Sequence, residues 1–134
     1  MPNTITQTTT VLGLNKVVRH IGITSDGSEE TDLVIYDSSA IASSLGIDDP
    51  LNCRILSVHY SVASAAFVGL LEFDATTDTH ALALPAYSAG AIHLRDVGGI
   101  PNTAGSGKTG DILLTTTGLA PGDAITLVLE VAPR

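Results

Sequence analysis

Leu56, Val58, Tyr60 and Val62 alternate with Ser57, His59 and Ser61, and this period of two constrains the fold more than any other feature of the chain. A strand turns successive side chains to opposite faces, so such a segment has one dry face and one wet one. The device recurs along the 134 residues. Over Lys16 to Thr24, Val17, Ile21 and Ile23 share one side and Lys16, His20 and Thr24 the other, with Val18 and Arg19 breaking the pattern. Asp32 to Asp37 follows after the turn-forming Ser25–Thr31, and the two segments read as a hairpin with an acidic tip. Ala66 to Asp74, Ala81 to Leu84, Ala91 to Asp96 and Gly110 to Thr117 read as further strands. Asp123 to Val131 closes the series with Ile125, Leu127, Leu129 and Val131 on its inner face.

The remaining segments are punctuation. Ser38 to Asp49 is the one helical candidate, with Ile41 and Leu45 four apart, Ser38 and Ser39 available as caps and Gly46 as a stop. Val97 to Gly110 is too rich in Gly for a regular element and reads as a long exposed loop. Met1 to Leu14 is Thr-rich and extended, an arm that needs a partner to order it. Some eight strands at intervals of about ten residues predict an all-β chain. The expected fold is a single-domain antiparallel β-sandwich or jelly-roll-like barrel, with residues 1–15 as an extended N-terminal arm and residues 16–134 as the sandwich.

Charge and composition narrow the chemistry. Six Lys and Arg against 14 Asp and Glu give a formal charge of -8, and dispersed basic residues build no phosphate-binding patch. With no Trp, three Tyr and two Phe, stacking platforms for single-stranded nucleic acid or sugar faces are scarce. Cys53 is the one cysteine, which excludes an internal disulfide and any multi-cysteine metal site; a buried, inert thiol is expected. Met1 to Thr10 lacks a basic start and an apolar stretch, so it does not read as a signal peptide, and no apolar run approaches membrane-spanning length.

Candidate motifs fail on inspection. Gly105-Ser106-Gly107-Lys108-Thr109 looks like the end of a phosphate-binding loop, but Asn102 stands where the first Gly belongs and a strand follows where a helix is needed. Asp74, Asp78 and His80, and the cluster Asp26, Glu29, Glu30 and Asp32, lack the ligand spacing of an EF-hand and read as solvated turns. His20, His59, His80 and His93 are scattered, without local zinc spacing, and no nucleophile elbow occurs. The expectation is no catalytic residue, no metal and no cofactor.

The string His93-Leu94-Arg95-Asp96-Val97-Gly98-Gly99-Ile100, continued by Gly105–Thr116 and Pro121-Gly122-Asp123, resembles small virion proteins of tailed bacteriophages, especially marine ones. Ile23–Asp32 and Leu71-Glu72-Phe73-Asp74 share in the resemblance, whereas Ala65-Ala66-Phe67-Val68 departs from the bulkier aromatic pattern expected there. The resemblance implies a capsid decoration or cement protein on the outer surface of a phage head, with the major capsid protein as partner. It also implies a homo-oligomer, with a trimer expected because such proteins gather at threefold positions. The acidic charge is compatible with an outer location, since a DNA-filled interior repels it. Assembly contacts are expected at Thr8, Thr9, Thr10, Val11 and Leu12 of the arm and at Gly98, Gly99, Ile100, Pro101, Asn102 and Lys108 of the loop. Other readings are a neck, tail or head-fibre domain, a glycan- or receptor-binding module, and, least favoured, an enzyme.

Overall fold

Ten strands and one helix organise the described residues, which are 3–47, 51 and 53–133 of this computed structural model. In chain order they are β1 (Thr4–Leu12), β2 (Val17–Thr24), β3 (Leu33–Tyr36), α1 (Ser38–Leu45), β4 (Arg54–Ala63), β5 (Val68–Phe73), β6 (Thr79–Leu84), β7 (Ala89–His93), β8 (Ile100–Pro101), β9 (Ile112–Thr117) and β10 (Ala124–Ala132). One sheet runs β1–β2–β10–β4–β7, with β8 also on β4, and the other runs β3–β9–β5–β6. Every pairing is antiparallel, and the two sheets form a β-sandwich.

The alternation explains what fills the sandwich. Val17, Ile21 and Ile23 of β2 and Ile125, Leu127, Leu129 and Val131 of β10 share a core with Leu71 and Phe73 of β5 and Ile112 and Leu114 of β9. Each such side chain stabilises the fold by about 1.5–3 kcal/mol relative to exposure. In β4, Val58 and Val62 are buried as expected, but the pairing with β10 jumps from Ser57 opposite Glu130 to Ile55 opposite Val131. Leu56 is the extra residue of this bulge, so Ile55 takes the core position that alternation assigned to Leu56.

Four sequence expectations are corrected by the pairing. First, β2 and β3 do not form a hairpin: β3 pairs with β9 in the other sheet, and Ser25–Asp32 crosses between the layers. Glu30 exchanges bonds with Thr116, its N–H to Oγ1 and its C=O from the Thr116 N–H, which carries this segment along β9 instead of back along β2. Second, residues 4–12 are extended, but their partner is β2 of the same chain, from Thr4 opposite Thr24 to Leu12 opposite Val17. Third, Asp96 belongs to a 3₁₀ turn at Arg95–Val97 rather than to a strand. Fourth, the 97–110 segment is exposed over much of its length, as expected, but it is not one free loop. Ile100 and Pro101 pair with β4, Asn102 and Ala104 are buried, and the Thr76 N–H donates to Ser106 O.

The helix forms where its spacing places it, over Ser38–Leu45, but its cap is Asp37, whose Oδ1 accepts the Ala40 N–H. Gly46 ends it with φ 72°, a left-handed conformation that suits glycine. The expected continuation to Asp49 reaches residues outside those described.

Candidate functional site

Sheet edges are where this fold can meet another chain, and β1 is the edge of the larger sheet. Among the described residues it pairs on one side only, so the backbone donors and acceptors of its other side face outward. Between β1 and the edge of the smaller sheet lies a groove of about 260 Å³, lined by Thr9, Leu12, Arg19, Val34, Asp37, Ala40, Ile41 and Ser44. Leu12 and Val34 line it, and Val11 and Leu14 are exposed near Leu12 in the chain; these are four of the seven large apolar side chains that the described residues expose.

Arg19 builds the floor of this groove. It occupies an inward position of β2, in phase with Val17 and Ile21, where an apolar residue would continue the core. Its Nε donates to Ile35 O at 3.0 Å, Nη1 to Thr9 Oγ1 at 2.7 Å and Nη2 to Gln7 Oε1 at 2.6 Å. One guanidinium thus ties β1 to β2 and the larger sheet to β3 of the smaller. Burial lowers its pKa, and Asp37 opposes that shift. Gln7 adds a second tie, with Nε2 donating to Val34 O. The break in alternation at Arg19 is the sequence signal for this crossing, although its role requires β1 and β3 in place.

The two halves of the expected assembly surface have different surroundings. Thr8, Thr10, Val11 and Leu12 are exposed on the β1 edge, and Thr9 is half-buried against Arg19. Asn102, by contrast, is inside: Nδ2 donates to Leu51 O, its N–H donates to Cys53 O, and Oδ1 accepts the Ala104 N–H. Gly99 and Ile100 are half-buried, Gly98 and Pro101 are exposed, and the Lys108 N–H closes a turn on Gly105 O. That turn leads to β9, so Gly105–Thr109 has a strand after it and no helix.

The acidic residues are also rearranged relative to their sequence groups. Glu29 is no free turn residue: its carboxylate accepts the N–H groups of Gly118 and Leu119 and stabilises the β9–β10 turn. Glu30 accepts from Asn3 Nδ2, and Asp74 Oδ2 accepts from Thr109 Oγ1. Asp32, Glu72 and Asp78, drawn from two parts of the sequence, bring carboxylate oxygens within 4.8 Å of one another. That spacing suits a shared, oxygen-ligated cation such as calcium, and acidic surfaces also hold such groups without one. Of the sequence run Asp74, Asp78 and His80, which reads as a solvated turn, only Asp78 belongs to this group.

Cys53 is fully buried, and its Sγ donates to Gly110 O at 3.2 Å. Burial pushes its pKa up to about 12, so the thiolate needed for nucleophilic chemistry is scarce at neutral pH. Beside it, Asp111 Oδ1 accepts the Ser38 N–H and hydroxyl, and Ser38 Oγ also donates to Thr109 O. Burial raises the pKa of Asp111 against those hydrogen bonds.

Among the described residues, no helix is long and apolar enough to cross a membrane. No family model and no curated protein matches the chain. A cupin superfamily protein from Desulfitobacterium hafniense DCB-2 is similar over 98% of this chain and 78% of its own, at 9% identity and a TM-score of 0.34. A CBM4 structure is similar over 85% of this chain and 78% of its own, at 11% identity and a TM-score of 0.30. Similarities at this level carry no functional argument, and the sandwich is read from its own strand pairing.

Proposed function

We propose that the chain is a structural assembly protein of the capsid-decoration type, which docks on the outer surface of a phage head through the β1 edge and the groove beside it. The observation that carries the reading is a groove lined by the exposed Leu12 and Val34 at an open strand edge, with Val11 and Leu14 exposed near Leu12 in the chain. Open edges with apolar neighbours are costly on an isolated protein, because they invite pairing with other chains. The occupant is an extended segment of the major capsid protein, added as a strand beside β1 with an apolar side chain in the groove. The formal charge of -8 favours the outside of a DNA-filled shell, and the resemblance of 93–123 to small virion proteins supplies the partner class. A homo-oligomer, expected as a trimer, multiplies each contact by mass action on a fixed lattice.

The test is co-sedimentation of the intact chain with phage heads assembled from a major capsid protein. Shell-wide occupancy by the wild type, and its loss in the V11D/L12D double variant, is the expected result. Absence of the wild type from the heads, or occupancy only in small multiples of three or six, overturns the decoration reading.

A further inference from the structure

A second cleft lies on the opposite surface of the larger sheet, away from the groove. It has a volume of about 300 Å³ and is lined by Leu56, Ser57, His59, His93, Arg95, Asp96 and Glu130. We propose that this cleft binds a divalent transition-metal ion of the zinc class, with His59 and His93 as its imidazole ligands and Glu130 as the carboxylate that completes the set.

Strand register brings the two histidines together. Ser57 pairs with His93 and His59 pairs with Ala91, so the imidazoles are diagonal neighbours on one face of β4 and β7, each opposite a small residue that leaves room above the sheet. Metal–nitrogen bonds of about 2 Å in a tetrahedral arrangement put the ring centres of two imidazoles sharing one ion about 5 Å apart. These rings stand at 5.1 Å, with planes at 77°. Side-chain rotation on fixed strands would aim one nitrogen from each at a shared ion, and Glu130 would have to turn with them, since the three ligand atoms do not all lie within 4.8 Å of one another as they stand. Glu130 belongs to the same cross-strand row, opposite Ser57. It is now paired with Arg95, a half-exposed side chain free to swing into solvent when the ion replaces it.

The electrostatics of the chain point the same way. The chain as a whole carries a formal charge of -8, a field that favours a cation at its surface. Imidazole together with carboxylate selects zinc, nickel or copper over calcium or magnesium. His20 supplies an internal control: it shares the face but is separated from His59 by Val128 of β10.

The test is calorimetric titration of the intact chain with zinc chloride, with ring-nitrogen chemical shifts of the histidines as a second readout. One equivalent should bind, with shifts confined to His59 and His93. H59A and H93A should each weaken binding by at least about tenfold, E130Q should weaken it less, and H20A should leave it unchanged. Both histidines are exposed, so the variants keep the fold, and circular dichroism verifies it. Failure of the wild type to bind zinc overturns the proposal. So does binding that survives in H59A/H93A but is lost in D78N, which would place the ion among Asp32, Glu72 and Asp78.

Discussion

The β1 edge and the 97–110 segment look alike in sequence, both short of regular apolar pattern and rich in small polar residues, yet they fold in opposite ways. The segment spends polar groups on its own chain: Asn102 holds Leu51, Cys53 and Ala104, and Thr109 holds Asp74 through its N–H and its hydroxyl. β1 satisfies one side of its backbone on β2 and leaves the other side, with Val11 and Leu12, to the surface. A segment that spends its donors on its own chain is part of the scaffold, whereas a strand with an unpaired edge keeps a template for another chain. The difference assigns rigidity to one region and recognition to the other.

Substitutions in the two regions should therefore diverge, and the largest loss of stability is expected in the segment. Gly99 has φ 79°, and a Cβ there would meet Ile55 O at 2.7 Å. Gly99→Ala should cost about 3 kcal/mol in chemical denaturation, since a non-glycine residue is strained in this region and the obstacle is backbone. Asn102→Ala removes both polar arms of a buried side chain and should cost about 2 kcal/mol, with faster hydrogen exchange at Cys53 and Ala104. A loss below about 0.5 kcal/mol for either variant would show the segment to be a loosely held loop.

Asp111 sits where the segment enters β9 and gives a smaller effect with a definite sign. Its pKa is raised in the folded protein, so the folded state holds the proton more tightly than the unfolded chain. That contribution is complete below the unfolded-state pKa and is lost as pH rises through the folded one, which makes ionised Asp111 a burden at neutral pH. Asp111→Asn keeps an acceptor for Ser38 and should change stability at pH 7 by less than about 1 kcal/mol. Denaturation from pH 7 to pH 4 should show the wild type gaining on the variant as acid is added. The reverse trend would mean that the hydrogen bonds from Ser38, not burial, dominate this carboxyl.

The smallest change in stability belongs to the β1 edge. V11D/L12D alters two exposed side chains and should cost less than about 0.5 kcal/mol, while abolishing the head binding described above. A large loss of stability would erase the contrast, because it would make β1 a scaffold element as well.

Much of the fold is legible in the chain because alternation is a property of a single strand. Val17, Ile21, Ile23, Ile125, Leu127, Leu129 and Val131 are all buried where period two puts them, and Cys53 is buried as expected. The helix is legible for the same local reason, through Ile41, Leu45 and Gly46. Less of the candidate site can be read this way. Arg19 announces itself only as a break in the pattern, and its partners Gln7, Thr9 and Ile35 lie 10 to 16 residues away in sequence.

The sequence by itself determined which residues face inward, where the chain turns, and that the protein is acidic and built of antiparallel strands. Tertiary structure alone decided which strands became neighbours: β3 with β9 instead of β2, Asp32 with Glu72 and Asp78, His59 with His93. The physical reason is that side-chain direction is set by local backbone geometry, which each segment carries with it. Pairing is set by the packing of two layers and the closure of long loops, a sum over contacts that no single segment contains.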